Sequence, residues 1–297
     1  MTDSSKGLSE ILREDSPVAK EETIKEKISE AEEITGRRLI AYIEHPTSPH
    51  TMISKEDTMG FEDVLNVIDD DEGDLLINSS GGRPNAAEKI LIMCRQHFSE
   101  EFNTVVCDYA KSAATMIAVG SDKIYMGHSA ELGPVDPQLS TPDGGSIPAQ
   151  AFLSSLDYVR EQIKDEDDPD PLEMYMPILR KIDPEIITIS ENSIAHSKSI
   201  VETWLKEGML EDDHDKAEDT AQKLCEGKEY NSHGKVINFD EANKLGLNVE
   251  KMNKDSSLWE IVWEIYCRCW QYVQQEDAAK VFASSDKFLS QSVQVND

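Results

Sequence analysis

Apolar residues run in short blocks along this chain, and the spacing inside each block predicts an element. Residues 37–45 (RRLIAYIEH) form a near-continuous apolar run of strand length. Asp74–Asn78 and Thr104–Cys107 are runs of the same kind. Such runs suit strands buried on both faces. Helices are expected over Phe61–Ile68, Ala86–Phe98, Ser112–Ala118, Phe152–Lys164 and residues 184–207. Residues 228–249 read as a short strand, a capped helix, a glycine stop at Gly246 and a final strand. Strands alternating with helices predict an α/β fold with a largely parallel sheet. Residues 257–273 (SLWEIVWEIYCRCWQYV) make an aromatic helix that Glu260, Glu264 and Arg268 keep out of a membrane. Its aromatic stripe is expected to pack on the body.

The same patterning divides the chain into three parts. Residues 1–36 are a charged helical extension with Ile24, Ile28 and Ile34 near one face and Gly36 as its stop. Residues 37–257 are the α/β body, and residues 258–297 the aromatic helix and a loose tail. Within the body, Thr141–Gln150 is a Gly/Pro-rich loop, expected as a flap on the substrate side. Asp165–Pro171 reads as an acidic insertion and Glu211–Asp219 as an acidic connection.

Charge narrows the partners. With 59 acidic and 29 basic residues among 297, the net charge is −30. Nucleic acid and anionic membrane surfaces select clustered Lys and Arg, so neither is expected as a partner. The phosphates of an acyl-CoA are disfavoured for the same reason. The five cysteines are odd in number and scattered, with no metal-like spacing, which fits a reducing cytoplasm. The first residues carry no signal-peptide pattern, and no run of about 18 apolar residues occurs, so no membrane anchor is expected. No cofactor or metal site is expected either.

The candidate chemistry lies at two strand-to-helix junctions. Ser112 follows the Thr104–Cys107 strand and opens a helix of small, then apolar, residues. A serine there either caps the helix or presents its hydroxyl above the sheet edge as a nucleophile. The N–H of Ala113 falls in the first helical turn and lacks a helical acceptor. The second junction, Ile77–Asn78–Ser79–Ser80–Gly81–Gly82, places two glycines where a ligand can approach backbone. Adjacent parallel strands bring such junctions side by side at their C-terminal ends. Gly81, Gly82 and Ala113 are therefore the candidate oxyanion hole beside Ser112.

The segments INSSGGRPNAAEKI, YAKSAATMIAVGSDKIYMGHSAELGPVDPQ and LCEGKEYNSHGKVINFDEANKLGLNV, in this order, resemble the Clp protease/crotonase superfamily. Within it they are most similar to the signal-peptide-peptidase A-like serine proteases of the serine dehydrogenase (dehydratase) proteinase branch. The resemblance spans about residues 38–265. It implies a spiral of ββα units with appended N- and C-terminal helices, peptide hydrolysis by a Ser/Lys dyad, and homo-oligomeric assembly. Two departures stand out: Ser80 replaces the usual proline before the Gly-Gly pair, and Ser112–Ala113–Ala114 replaces Ser-Gly-Gly. Alanine keeps the N–H donor but narrows the pocket. Clp enzymes place a histidine some two dozen residues after the serine; here Leu132–Pro137 holds none and His128 does not match.

A lysine must then take the proton, which requires a pKa lowered by burial. Lys181, in Arg180–Lys181–Ile182–Asp183, matches a segment of the proteinase branch. Lys164 matches the signal-peptide-peptidase A spacing but precedes Asp165–Glu166–Asp167–Asp168, a run that raises a lysine pKa. Lys181 is favoured over Lys164. Lys111, next to Ser112, is expected to point elsewhere, and His233 is a possible auxiliary group. The expected activity is that of a cytoplasmic serine endopeptidase on a peptide or unfolded protein. The alternatives are an inactive scaffold or regulatory subunit of the same fold and, third, crotonase-type acyl-CoA chemistry.

Overall fold

The computed structural model describes residues 8–11, 20–48, 51–140, 145–163, 170–180, 182–226 and 235–292. A short turn, α1 (Leu8–Ile11), and the longer α2 (Lys20–Thr35) precede the first strand, β1 (Arg38–Glu44). Then come α3 (Asp57–Leu65), β2 (Glu72–Asn78), α4 (Pro84–His97) and β3 (Glu101–Val106). The next stretch holds β4 (Tyr109–Ala110), α5 (Ala113–Val119), β5 (Lys123–Met126) and β6 (Glu131–Leu132). A hairpin, β7 (Gln138–Ser140) with β8 (Ser146–Pro148), leads into α6 (Ala149–Gln162), α7 (Asp170–Leu179) and α8 (Pro184–Glu207). The chain continues through α9 (His214–Glu226), α10 (Phe239–Leu245), β9 (Val249–Lys251) and α11 (Ser257–Gln275). It returns with β10 (Ala278–Ala283) and β11 (Phe288–Ser292).

The main sheet has the order β11-β10-β1-β2-β3-β5-β9. The five strands from β1 to β9 run parallel, whereas β10 and β11 are antiparallel additions. A second, smaller layer crosses the C-terminal ends of the parallel strands. It consists of the parallel pair β4–β6 and isolated bridges Ile53–Gly82, Ser79–Ala110 and Leu132–Ile237. β1, β2, β3 and β5 thus each turn a corner into a short second strand or bridge before the next helix, which is the ββα repeat.

Alternation along β1 sends side chains to two cores. Ile40 and Tyr42 face one cluster with Phe61, Ile90 and Ile117; Leu39, Ala41 and Ile43 face another with Ile24 and Ile28 of α2 and Val262 and Ile265 of α11. Each of the leucine, isoleucine and valine side chains among these contributes about 1.5–3 kcal/mol by leaving water. The aromatic helix α11 packs on the body, starting at a Ser256 cap that accepts the Trp259 N–H at 3.2 Å. The helix before β9 ends as expected, with Gly246 left-handed at φ 89°.

Some expectations change. Ile34 is 46 % exposed; Ala31 takes its place on the buried face of α2. The tail supplies β11, and β10 joins the sheet beside β1, two strands the apolar patterning did not predict. Most of the acidic stretch 211–219 belongs to α9, whose Ala217, Ala221 and Leu224 are buried at helical spacing. The expected flap contributes β8, while residues 141–144 lie outside the described set, as do residues 164–169 of the acidic insertion. No described helix is long and apolar enough to cross a membrane.

Candidate active site

Ser112 sits where β4 gives way to α5, with φ 50° and ψ −116°. A non-glycine residue in this region is strained and persists only where its surroundings impose it. A sharp strand-to-helix turn of this kind lifts the nucleophilic serine above the sheet in α/β-hydrolases. Ser112 occupies the N-cap position, but its side chain makes no capping bond. Among the described residues its hydroxyl has no hydrogen-bond partner. The helix start is held by Thr115 instead. Its hydroxyl oxygen lies 2.7 Å from the Ala110 carbonyl oxygen and 3.0 Å from that of Gly133, and accepts the Gly133 N–H at 3.1 Å.

The Gly81–Gly82 segment lies directly against this turn. At φ 101°, Gly81 has a conformation that glycine tolerates and other residues do not. A Cβ there would sit 2.6 Å from the Lys111 carbonyl oxygen and 2.8 Å from Ser112 Cβ. A Cβ on Gly82 would sit 2.3 Å from the Ile53 carbonyl oxygen. The loop also pairs with the Ile53 segment: Ile53 N–H donates to Gly81 C=O and Arg83 N–H to Ile53 C=O, both at 2.8 Å. By strand alternation the Gly82 N–H points away from Ile53. Among the described residues, neither the Gly82 nor the Ala113 N–H donates to a protein acceptor. Gly81 differs from expectation. Its N–H already donates to Ser79 Oγ at 3.0 Å, so Gly81 supplies close approach to Ser112 rather than a free donor.

Lys111 turns away from Ser112. Its Nζ pairs with Glu131 at 2.6 Å and donates to the Leu132 carbonyl at 3.2 Å. Lys164, Lys181 and His233 lie outside the described residues, so the structure does not relate them to Ser112. Among the described residues no cluster of His, Cys, Asp and Glu could hold a metal ion. A cavity of about 260 Å³ lies on the other face of the sheet, between α2 and α11, lined in part by Leu39, Val105 and Val262.

Sequence patterning missed a buried polar cluster behind the Gly-Gly loop. Glu44, at the end of β1, is 1 % exposed. One carboxyl oxygen contacts Tyr42 Oη at 2.8 Å, and the other accepts the Ser80 N–H at 3.2 Å. Tyr42 Oη also lies 3.1 Å from Asp57 Oδ2. Lys280 Nζ, on β10, reaches both Asp57 oxygens at 2.7 Å and the Met52 carbonyl at 2.8 Å. Burial pushes the Glu44 carboxyl up to about 8, against the opposing pull of hydrogen bonding from Ser79 and the charge of Lys280. Burial and the carboxyls of Glu44 and Asp57 raise Tyr42 well above a normal phenol. One sequence signal for this cluster existed: Lys280 is a lone charge inside the apolar run AAKVFA.

The chain is 32 % identical over 177 residues to an uncharacterized protein of Methanocaldococcus jannaschii, covering 60 % of this chain and 53 % of that one. It thus spans about half the length of that relative. A second uncharacterized protein of the same organism is 26 % identical over 250 residues, covering 80 % of this chain and 75 % of its own. Among solved structures, a 1510-N membrane-bound stomatin-specific protease in complex with a substrate peptide aligns at TM-score 0.40 and 14 % identity, covering 81 % of this chain and 83 % of that one. The ClpP protease catalytic domain of Plasmodium falciparum aligns at TM-score 0.38 and 13 % identity, covering 82 % and 94 %. The family model for ClpP-like SDH-type serine proteinases matches residues 50–279, which include both strand-to-helix junctions, and the chain belongs to that family.

Proposed function

We propose that this chain is a serine endopeptidase with Ser112 as its nucleophile. The observation that carries this assignment is the strained, uncapped Ser112 set against the Gly81–Gly82 turn. Ser112 Oγ attacks the carbonyl carbon of an extended peptide as its proton passes to a lysine Nζ. Lys181 is that base in preference to Lys164. The negative oxygen of the tetrahedral intermediate rests on the Gly82 and Ala113 N–H groups. On collapse the C–N bond breaks and the lysine returns its proton to the leaving amine. Water then cleaves the acyl-enzyme by the same route in reverse. His233 is an auxiliary group that orients the base or binds the substrate backbone.

The working form is a cytoplasmic homo-oligomer. Ile147, Tyr158, Met174, Ile178, Ile186 and Ile189 are exposed on β8, α6, α7 and α8, an apolar concentration that a second copy of this chain would cover. Hydrolysis of casein and a peptide library tests the assignment, with wild type beside Ser112→Ala, Lys181→Ala and Lys164→Ala. Loss of cleavage in Ser112→Ala and Lys181→Ala, with Lys164→Ala active, is expected. Cleavage that persists in Ser112→Ala rules Ser112 out, and a folded, inert wild type favours a scaffold.

A further inference from the structure

We propose that Glu44 is a positioning residue for the oxyanion loop: it carries a proton in the folded chain, holds Ser79–Gly82 in that form, and weakens the site when it ionises. This inference rests on the peptidase assignment above.

Counting protons leads to it. Tyr42 has one hydroxyl proton, yet its oxygen contacts Glu44 at 2.8 Å and Asp57 at 3.1 Å. Two carboxylates cannot both receive that proton. All three Lys280 protons have acceptors on Asp57 and Met52, so none is left for Glu44. A proton on Glu44 resolves the conflict. Glu44 Oε1–H then donates to Tyr42 Oη, and the Tyr42 hydroxyl donates to Asp57 Oδ2. The second Glu44 oxygen still accepts the Ser80 N–H. The titratable groups facing Glu44 are Tyr42 on its own strand, Asp57 on α3, Lys280 on β10 and Tyr109 on β4. Lys280 is committed to Asp57, and burial, together with the Asp57 charge, favours a neutral Glu44 up to about 8 against the opposing pull of Lys280 and the Tyr42 hydrogen bond.

The cluster is wired to the site by two routes. Through the first, Glu44 holds the Ser80 N–H, and the hydroxyl oxygen of the adjoining Ser79 accepts the Gly81 N–H. Gly81 in turn lies against Ser112 Cβ. Through the second, Lys280 and Asp57 fix Met52 and Ser54, which flank the Ile53 segment paired with Gly81 and Arg83. Tyr42 joins the two routes. Ionised Glu44 breaks the proton chain and puts a negative charge beneath the donors meant for a developing oxyanion.

Glutamine copies protonated Glu44: its oxygen accepts from Ser80 N–H and its NH2 donates to Tyr42. The test is the rate of fluorophosphonate labelling at Ser112 against pH in wild type, Glu44→Gln and Glu44→Ala, with thermal melts of each. The wild-type rate should fall several-fold as pH rises past about 8. Glu44→Gln should lack that fall, and Glu44→Ala should label about tenfold more slowly at neutral pH, a loss that Gln restores. An alkaline fall shared by Glu44→Gln, or an alanine variant as fast as wild type, overturns the proposal. The melts do not depend on catalysis. The folded chain keeps a proton that the unfolded chain loses above 4.5, so wild-type stability should drop from there to about 8 relative to Glu44→Gln. A melting gap that does not widen with pH rejects the protonated Glu44. Wild type that melts as expected but never labels rejects the peptidase assignment, and the positioning role with it.

Discussion

Ser112 combines two features that stability alone does not favour: a positive φ of 50° and an N-cap hydroxyl that caps nothing. Backbone strain of this kind costs about 1–3 kcal/mol. Ser112→Gly relieves it and Ser112→Ala does not, so both variants should be inactive while Gly unfolds at a higher temperature, by about 1 kcal/mol of stability. Equal melting of the two would mean that the turn is not strained. The neighbouring glycine gives the opposite case. Gly81→Ala adds a Cβ where only 2.6–3.0 Å is open and φ is 101°, so it should lose both stability and activity. The position and junction of Ser112 were legible in the sequence, because a strand, a serine and a small-residue helix are neighbours in the chain. Its φ was not, since the contacts that impose it come from Gly81 and, through Thr115, from Gly133.

Among the elements, the Gly-Gly loop is held between β1 and the Ile53 segment, and Lys280 on β10 anchors that segment through Asp57. The Lys280 and Asp57 side chains are 2 % and 0 % exposed. Removing one partner of so buried a pair leaves an uncompensated charge, at a cost of about 3–5 kcal/mol. Lys280→Met should lose that much in urea denaturation, and the double variant Lys280→Met with Asp57→Asn should recover part of it. A single variant as stable as wild type would show that the pair does not hold the segment. The apolar runs of β1, β2 and β3 were readable because buried parallel strands are continuous apolar blocks. The cluster behind the loop was not, because Lys280 joins Glu44 and Asp57 from a strand more than two hundred residues away. The strand β10 escaped notice for a related reason: its partner, β1, lies more than two hundred residues earlier.

For the molecule as a whole, a net charge of −30 opposes compaction. Salt screens that repulsion over a Debye length of about 8–10 Å near physiological strength. The melting temperature should therefore rise by a few degrees between low salt and about 0.5 M sodium chloride, monotonically. A flat response would place most acidic groups in compensating pairs. Assembly belongs to this scale as well, and light scattering on the wild type beside Ile178→Asp and Ile189→Asp tests the apolar surface on α7 and α8. The α/β class and the family resemblance were carried by local motifs; assembly is a property of surfaces that no local motif encodes.

The central claim is that Ser112 is an activated nucleophile. Its most direct test is the intact mass of the protein after exposure to a fluorophosphonate, with the adduct mapped by peptide digestion. One adduct per chain on the peptide containing Ser112, absent from Ser112→Ala and from unfolded protein, is the expected result. No adduct on the folded wild type, or an adduct that survives in Ser112→Ala, would contradict it.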